Sequence, residues 1–205
     1  MKSSELEPEP STLLVKNLPT DIELVLQNPY DYQNVPTQDA LQDWANVAVY
    51  VIQSTTVIAA HIAFTLRIVD QTEGQQLNHE FRGKPNATNV LSFPCFTDES
   101  TADDLVFDLD PSLAVSDEDR QDVNNDGAQH YLGDLVICQP VMQQEAAQQG
   151  KSLTEHWAHL LIHGLLHLLG YDHQTDEEAA QMEQQEITIL QQLGFANPYL
   201  IKPER

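Results

Sequence analysis

The run HGLLHLLGYDH, from His163 to His173, constrains this chain more than any other stretch of its sequence. His163 and His167 are four residues apart, so on an α-helix their rings project from the same face, one turn apart. His173 follows six residues after His167, beyond Gly170, where the backbone can turn out of the helix. The spacing therefore predicts three imidazoles gathered at the end of one helix.

Three imidazoles brought together in this way can occupy three corners of a tetrahedron and leave the fourth corner for water. That composition is typical of a catalytic zinc site, because a structural zinc site closes its fourth position with a protein ligand. Neutral imidazoles also suit copper, nickel and iron, but zinc is the default where no thiolate or acid is included. We therefore predict one Zn²⁺ ion per chain, with other divalent transition metals as alternatives, held by His163, His167 and His173.

The same histidine spacing occurs in a large group of zinc peptidases, but Gly164 argues against their reaction here. Those enzymes carry a glutamate directly after the first histidine, and that glutamate is the general base. Gly164 offers no proton acceptor and costs about 1 kcal/mol of helix propensity relative to alanine, which indicates that another group approaches the backbone closely there. A zinc peptidase or amidohydrolase stays open as an alternative, but metal-assisted attack on a different electrophile is favoured.

Two further residues are candidates for the surroundings of the metal. His159 precedes His163 by four residues, so it lies on the same helical face and could contact a ligand or the substrate. Asp172, beside His173, could orient a ligand imidazole by accepting its second N–H group. Either residue could also be the general base, and the sequence does not choose between them.

The charge of the chain is unusual and unevenly distributed. Thirty-two acidic residues face nine basic ones, which gives a formal net charge of −23. Such a surface repels polyanions at long range, so we expect no DNA binding and no grip on nucleic acid by electrostatics alone. Residues 98–126 hold eleven acids and one base, whereas residues 51–97 hold three of each. Any anion-binding surface is therefore expected in the neutral segment.

Arg82 is the main candidate in that neutral segment. An arginine fork binds phosphate or carboxylate oxygens bidentately and stays charged at any working pH. The alternative is a surface arginine at the end of a helix, where a cation favours the helix dipole. The sequence alone favours this alternative.

Hydrophobic periodicity predicts five helices and four strands. The helices are expected over residues 38–54, 71–82, 141–149, 153–169 and 176–193, and the strands over residues 13–18, 61–69, 88–93 and 132–138. In the second helix Leu77 and Phe81 are spaced by four and are expected on its inner face. Alternating elements followed by consecutive helices predict an α/β (α+β) layered domain of about four strands.

At 205 residues the chain suits one domain with a sizeable core. We expect a disordered tail over residues 1–11 and one domain over residues 12–205, with residues 97–130 as an acidic insertion or loop. No apolar run approaches the ~20 residues that span a bilayer, and the N-terminus lacks the apolar core of a secretory signal. These features predict a cytoplasmic protein that does not act at a membrane.

Together these segments resemble the YbeY family, bacterial endoribonucleases that are also called rRNA maturation factors. The run HGLLHLLGYDH matches the family's H-G-x-L-H-L-x-G-Y-D-H almost letter for letter, and LNHEFRG, TNVLSFP, LGDLVIC and MEQQEITILQQLGFANPY support the match. The resemblance extends over about residues 57–199. Two departures are residues 83–87, which read GKPNA where the family usually has G-K-D-K-P, and the acidic insertion, which is longer than the family's.

The resemblance implies a zinc-dependent endoribonuclease, specific for single-stranded RNA, that acts in 16S rRNA 3′-end maturation and ribosome quality control. It implies that the zinc ligands are His163, His167 and His173, and that Arg82 is functionally important. It also implies a mixed sheet beside a metal cleft, and the small ribosomal subunit and its proteins as partners. A ribosome-assembly factor whose metal holds the fold, and whose acidic surface docks on a basic ribosomal protein, is a second alternative.

Overall fold

The structure is a computed structural model that describes residues 21–54, 56–58, 61–95, 106–108 and 129–200. Its helices are α1 (Gln38–Ile52), α2 (Gln71–Arg82), α3 (Gln139–Gln148), α4 (Leu153–Leu168) and α5 (Asp176–Gln192). Its strands are β1 (Asp21–Gln27), β2 (Thr56–Ile58), β3 (His61–Val69), β4 (Val90–Pro94), β5 (Val106–Asp108) and β6 (His130–Cys138). The predicted α/β class, with a mixed sheet of four strands and five helices, is confirmed.

Four of the strands form one mixed sheet in the order β1-β3-β6-β4. Strands β1, β3 and β6 run parallel, and β4 pairs antiparallel with β6 at one edge. The sequence of β3, HIAFTLRIV, is apolar and β-branched along most of its length, as expected for an inner strand that is covered on both faces. Strands β2 and β5 form a separate two-stranded antiparallel sheet.

The two faces of the sheet are covered by different helices. Helices α1, α4 and α5 contact one another and bury the larger core, which includes Phe64 of β3, Leu135 of β6 and Trp157 of α4. Helix α2 covers the other face over a smaller cluster that includes Val69 and Val136. Helix α4 is therefore enclosed in the larger core along one side. Within the described ranges, no helix is both long and apolar enough to cross a bilayer.

Both ends of α4 are fixed by local interactions. The Ser152 hydroxyl accepts the N–H of Glu155, and the Glu155 carboxylate accepts the N–H of Ser152, which is a reciprocal capping box. Just beyond the other end Gly170 adopts a φ of 91°, a conformation that glycine reaches without strain. The prediction of a turn at Gly170 is confirmed, and these two ends set where the histidines lie along the helix.

The first described strand comes later than predicted. The strand expected over residues 13–18 lies outside the described residues, and β1 covers Asp21–Gln27. In β1 the alternate residues Ile22 and Leu24 are buried, and the residues between them are exposed. Because β1 is an edge strand with one covered face, its polar and apolar residues alternate and form no continuous apolar run. The five helices and strands β3, β4 and β6 agree with their predicted bounds to within two residues, whereas β2 and β5 were not predicted.

Helix α2 packs on the sheet with residues other than those predicted. Leu77 is half-buried, but Phe81 is 59% exposed, so the prediction of Phe81 on the inner face was wrong. The buried residues of the helix are Gly74 and Asn78, and the helix approaches Cys138 of the sheet closely at Gly74. Phe81 follows Gly74 by seven residues, so it lies at nearly the same angle around the helix but two turns further on, at the C-terminal end, where it is mostly exposed. The Phe81 ring instead lies edge-on to Phe93, with 4.8 Å between ring centroids.

The acidic insertion is described only in part. Residues 97–130 were expected to form a loop, but they contain β5, and His130 already belongs to β6. The short β5 pairs with β2 through contacts distant in sequence, and no local pattern predicts such pairing. The remainder of the insertion and the expected disordered tail over residues 1–11 lie outside the described residues. The single domain over residues 12–205 stays a prediction.

Candidate metal centre

The three histidines that were predicted as ligands lie together at the end of α4. One ring nitrogen of each lies within 4.8 Å of those of the other two. The ring centroids of His163 and His167 are 4.8 Å apart, and that of His173 is 5.7 Å and 4.9 Å from them, respectively. His163 and His167 are half-buried and His173 is exposed, so the group opens to solvent on one side.

Hydrogen bonds that the Nδ1 atoms donate fix two of these rings. Nδ1 of His163 lies 2.8 Å from Oε1 of Glu186, and Nδ1 of His167 lies 2.9 Å from the carbonyl oxygen of Tyr171. An ionised carboxylate and a carbonyl oxygen can only accept, so each Nδ1 carries the hydrogen and each Nε2 keeps a free lone pair. This arrangement is typical of metal-binding histidines, whose second nitrogen donates to an oxygen outside the coordination sphere.

Glu186 of α5 is the central buried carboxylate beside this group, and it is only 1% exposed. Besides His163, it accepts hydrogen bonds from Nε2 of His159 at 2.9 Å and from the Tyr199 hydroxyl at 2.6 Å. Burial raises the pKa of the Glu186 carboxyl, but these hydrogen bonds outweigh burial and lower the pKa to about 2. The carboxylate is therefore ionised at neutral pH.

His159 lies beside the three histidines and not among them. Its ring centroid is 6.3 Å from that of His163, and the two rings are linked through the carboxylate of Glu186. It is not one of the described residues that line the cleft in front of the histidines. His159 therefore contacts the neighbour of a candidate ligand, which agrees with one of its two predicted roles.

Asp172 fixes the turn that carries His173. Its carboxylate accepts the backbone N–H of His173 at 2.8 Å and the side-chain amide of Gln174. The first of these hydrogen bonds is the main cause of its lowered pKa. The acceptor for the His167 ring is the carbonyl group of Tyr171, so Asp172 acts on His173 through the backbone and leaves its carboxylate at the cleft surface.

A cleft of about 590 Å³ lies in front of the histidines and brings Arg82 to the same site. Arg82, the last residue of α2, lines the cleft together with His163, His167 and His173, and Ser92 of β4 also contributes to the lining. Arg82 is exposed and has no ion-pair partner within the described part of the chain. Its guanidinium is therefore available to an anion in the cleft.

Gly164 is explained by packing between the helix and the sheet. A Cβ atom at position 164 would overlap the side chain of Leu135 in β6. The predicted close approach to the backbone is thus confirmed, and the approaching group is a leucine of the core. A glutamate at this position would have to displace Leu135, so the base of the zinc peptidases has no room here.

Glu186 and Tyr199 were not predicted from the sequence as neighbours of the candidate ligands. Glu186 is 23 residues from His163 in sequence, and only the packing of α5 on α4 brings the two together. One signal was available, because Glu186 lies in the apolar stripe of α5 between Met182 and Ile189. A charged residue in such a stripe is buried when the helix packs, and it then requires partners.

Comparisons with known proteins show the family of the chain. The family model described as Endoribonuclease YbeY matches residues 26–194. A relative named Endoribonuclease YbeY, from Pseudomonas syringae pv. tomato, is 50% identical over 141 residues, which are 69% of this chain and 70% of that protein. The solution structure of TM1509 from Thermotoga maritima aligns at 17% identity with a TM-score of 0.46, over 88% of this chain and 99% of the other. The chain therefore belongs to the YbeY family of endoribonucleases.

Proposed function

We propose that this protein is a zinc-dependent endoribonuclease that cuts single-stranded RNA and acts in 16S rRNA 3′-end maturation and ribosome quality control. The observation that carries the proposal is that Arg82 lines the same cleft as the three clustered histidines. Membership of an endoribonuclease family supports RNA as the substrate. The resemblance noted above supports the rRNA role.

The side chains of the cluster fit Zn²⁺. Three imidazoles without a thiolate are a common donor set for catalytic zinc, and the Nε2 atoms of His163 and His167 are free to coordinate because each Nδ1 donates elsewhere. His163, His167 and His173 would hold one ion per chain. When bound, the ion supplies a Lewis acid that polarises a phosphoryl oxygen and lowers the pKa of water. Other divalent transition metals suit the same donors.

Arg82 would bind and orient the phosphodiester. Its fork can hold two non-bridging phosphate oxygens and offset their negative charge in the cleft that the histidines also line. It is exposed and lacks a described ion-pair partner, so substrate need not displace a carboxylate. The cleft has the volume of a small-ligand site, so we expect a nucleobase to enter it only when the nucleobase is unpaired. This size favours single-stranded RNA.

Asp172 is the better of the two candidate general bases. It lines the cleft, and its carboxylate is ionised, although the hydrogen bond from the backbone N–H of His173 lowers its pKa and so weakens it as a base. His159 is not among the described residues that line the cleft, and its Nε2 already donates to Glu186. We therefore assign proton acceptance to Asp172 and assign His159 to the surroundings of His163.

The charge of −23 supports a second part of the proposal, which concerns partners. A strongly acidic protein is not drawn to RNA at long range, but it can dock on a basic protein. We propose that the chain meets its RNA in the cytoplasm on the small ribosomal subunit, where a basic ribosomal protein holds it. Docking and cleavage can coexist, because the cleft supplies its own cation in Arg82.

Cleavage of a labelled single-stranded oligoribonucleotide tests the enzymatic part. H167A should lose cleavage, and R82A should lower kcat/KM by roughly 10²–10³-fold, the loss typical when one group that stabilises transition-state charge is removed. R82K should recover only part of the activity, because an ammonium group cannot form the bidentate contact. R67A is a matched control, since Arg67 pairs with Glu73 at 2.8 Å and is not among the described residues that line the cleft.

In the absence of added metal, H167A and R82A should unfold at the same denaturant concentration as the wild type. Undiminished cleavage by folded H167A and folded R82A would overturn the proposal. Cleavage of peptides but not of RNA by the zinc-loaded protein would instead support an amidohydrolase.

A further inference from the structure

We infer that Glu186 and Tyr199 are positioning residues for the metal ligand His163, so that the C-terminal segment of the chain sets the affinity of the metal site. The inference rests on the proposed function, because it takes the three histidines as metal ligands. It assigns roles to two residues that are distant in sequence from the histidine motif.

The first observation is that the two carboxylate oxygens of Glu186 accept hydrogen bonds from different donors. Oε1 accepts from Nδ1 of His163 at 2.8 Å, whereas Oε2 accepts from both His159 at 2.9 Å and Tyr199 at 2.6 Å. The two contacts to Oε2 fix the rotation of the carboxylate. A fixed carboxylate fixes in turn the plane of the His163 ring and the direction of its Nε2 lone pair.

The second observation is the charge of this buried group. Glu186 is 1% exposed, and among the described residues neither of its oxygens contacts a lysine or an arginine. Its donors are two imidazoles and a phenol, and an imidazole that coordinates a metal is neutral. A buried carboxylate is more favourable when a positive charge lies near it. A dication held by His163 would place such a charge on the far side of the imidazole ring from Glu186.

The third observation is how Tyr199 is held in place. It follows α5 in the turn at the end of the described chain, where its backbone N–H donates to the Asn197 side chain at 2.8 Å. Its ring packs edge-on to His159, with 5.7 Å between centroids. The hydroxyl group thus reaches Glu186 from an element other than the two helices. Metal affinity is therefore expected to depend on this turn as well as on α4 and α5.

The test is the Zn²⁺ dissociation constant, measured at pH 8 by competition with a chromogenic chelator. E186Q should weaken zinc binding by roughly 10–100-fold, the loss typical of removing such a partner of a ligand. Y199F should weaken it by a smaller factor, because the carboxylate remains and only its orientation loosens. The matched controls are E183Q, which removes an exposed charge from the same helix, and Y50F, which alters an exposed tyrosine of α1. Both controls should bind zinc as the wild type does.

Stability without metal separates positioning from a merely structural role. With zinc removed by EDTA, E186Q should remain folded but lose some stability, because an amide cannot accept from all three donors that the carboxylate satisfies. Zinc affinity is therefore compared under conditions in which circular dichroism shows both proteins fully folded. Equal zinc affinity of E186Q and the wild type would overturn the inference, as would an equal loss in E183Q. A wild type that binds no zinc overturns the proposed metal site as well, so the two failures are distinguishable.

Discussion

Gly164 of α4 faces Leu135 of β6 so closely that a methyl group at position 164 would overlap the leucine side chain. The absence of a side chain lets the helix backbone lie directly against the sheet. His163, the preceding residue, lines the cleft together with residues of β4. One glycine therefore sets the distance between the helix that carries two of the histidines and the sheet on which it packs.

G164A should destabilise the protein by about 1–3 kcal/mol, the usual effect of overpacking a filled core. Alanine is the better helix former by about 1 kcal/mol, so propensity alone predicts the opposite sign. Denaturant unfolding of G164A, L135A and the double variant measures the coupling between the two sites. We expect G164A to cost less in the L135A background, because the space is then available. A more stable G164A would contradict the packing argument.

Zinc should stabilise the folded chain by mass action. At a free zinc concentration 100 times the dissociation constant, the free energy of unfolding should rise by about 2.7 kcal/mol. A double variant, H163A with H167A, should show no such rise, and EDTA should reverse the rise in the wild type. H61A is the control, because His61 is exposed at the start of β3. An equal zinc effect in the double variant would place the metal elsewhere.

Stability should fall as the pH drops below 6.5, in part because of His156. This residue of α4 is 2% exposed, and its burial lowers its pKa below 6.5, although the hydrogen bond to Glu145 opposes the shift. The folded state therefore favours neutral His156, and on acidification the unfolded chain takes up the proton first. The contribution of neutral His156 is complete above pH 6.5 and is lost as the pH falls toward its lower folded pKa.

Unfolding free energies of the wild type and H156Q between pH 7.5 and pH 5, both in EDTA, isolate this contribution. The wild type should lose more stability on acidification than H156Q does. Parallel pH profiles for the two proteins would show that His156 does not carry the effect.

F81A should cost little stability. The Phe81 side chain is 59% exposed, so the substitution removes mainly its edge-on contact with Phe93, worth about 0.5–1.5 kcal/mol. F64A is the comparison, because Phe64 is fully buried in β3 and such truncations cost about 3–5 kcal/mol. Denaturant unfolding of both variants measures the difference. Equal losses of stability in the two variants would contradict the exposure of Phe81.

The sequence motif predicted the clustered histidines because their geometry is local. His163 and His167 share one helical face, and Gly170 turns the chain before His173, so a single segment of backbone specifies all three. The helix and strand bounds were predicted for the same reason, since caps and periodicity act over a few residues.

Contacts between distant segments could not be predicted in this way. Glu186 reaches His163 only after α5 packs on α4, and Arg82 of α2 lines the cleft together with residues of α4 and β4 that are distant in sequence. The exposure of Phe81, one residue before the end of α2, likewise depends on how much of the helix the sheet covers. Such relations are set by packing between elements, and the periodicity of any one segment does not contain them.

Strands β4 and β6 are adjacent and antiparallel, and Pro94 pairs with Gly133 across them. The long acidic segment therefore leaves and re-enters the sheet at neighbouring points, so its two ends are joined by the ladder whatever its length. Closing such a loop costs only about 0.6 kcal/mol more for each doubling of length. Changes of length or charge in this segment outside β5, which pairs with β2, are therefore expected to leave the histidines in place, although residues 98–126 hold eleven of the thirty-two acids. Surface charge and chemistry can thus evolve separately in this protein.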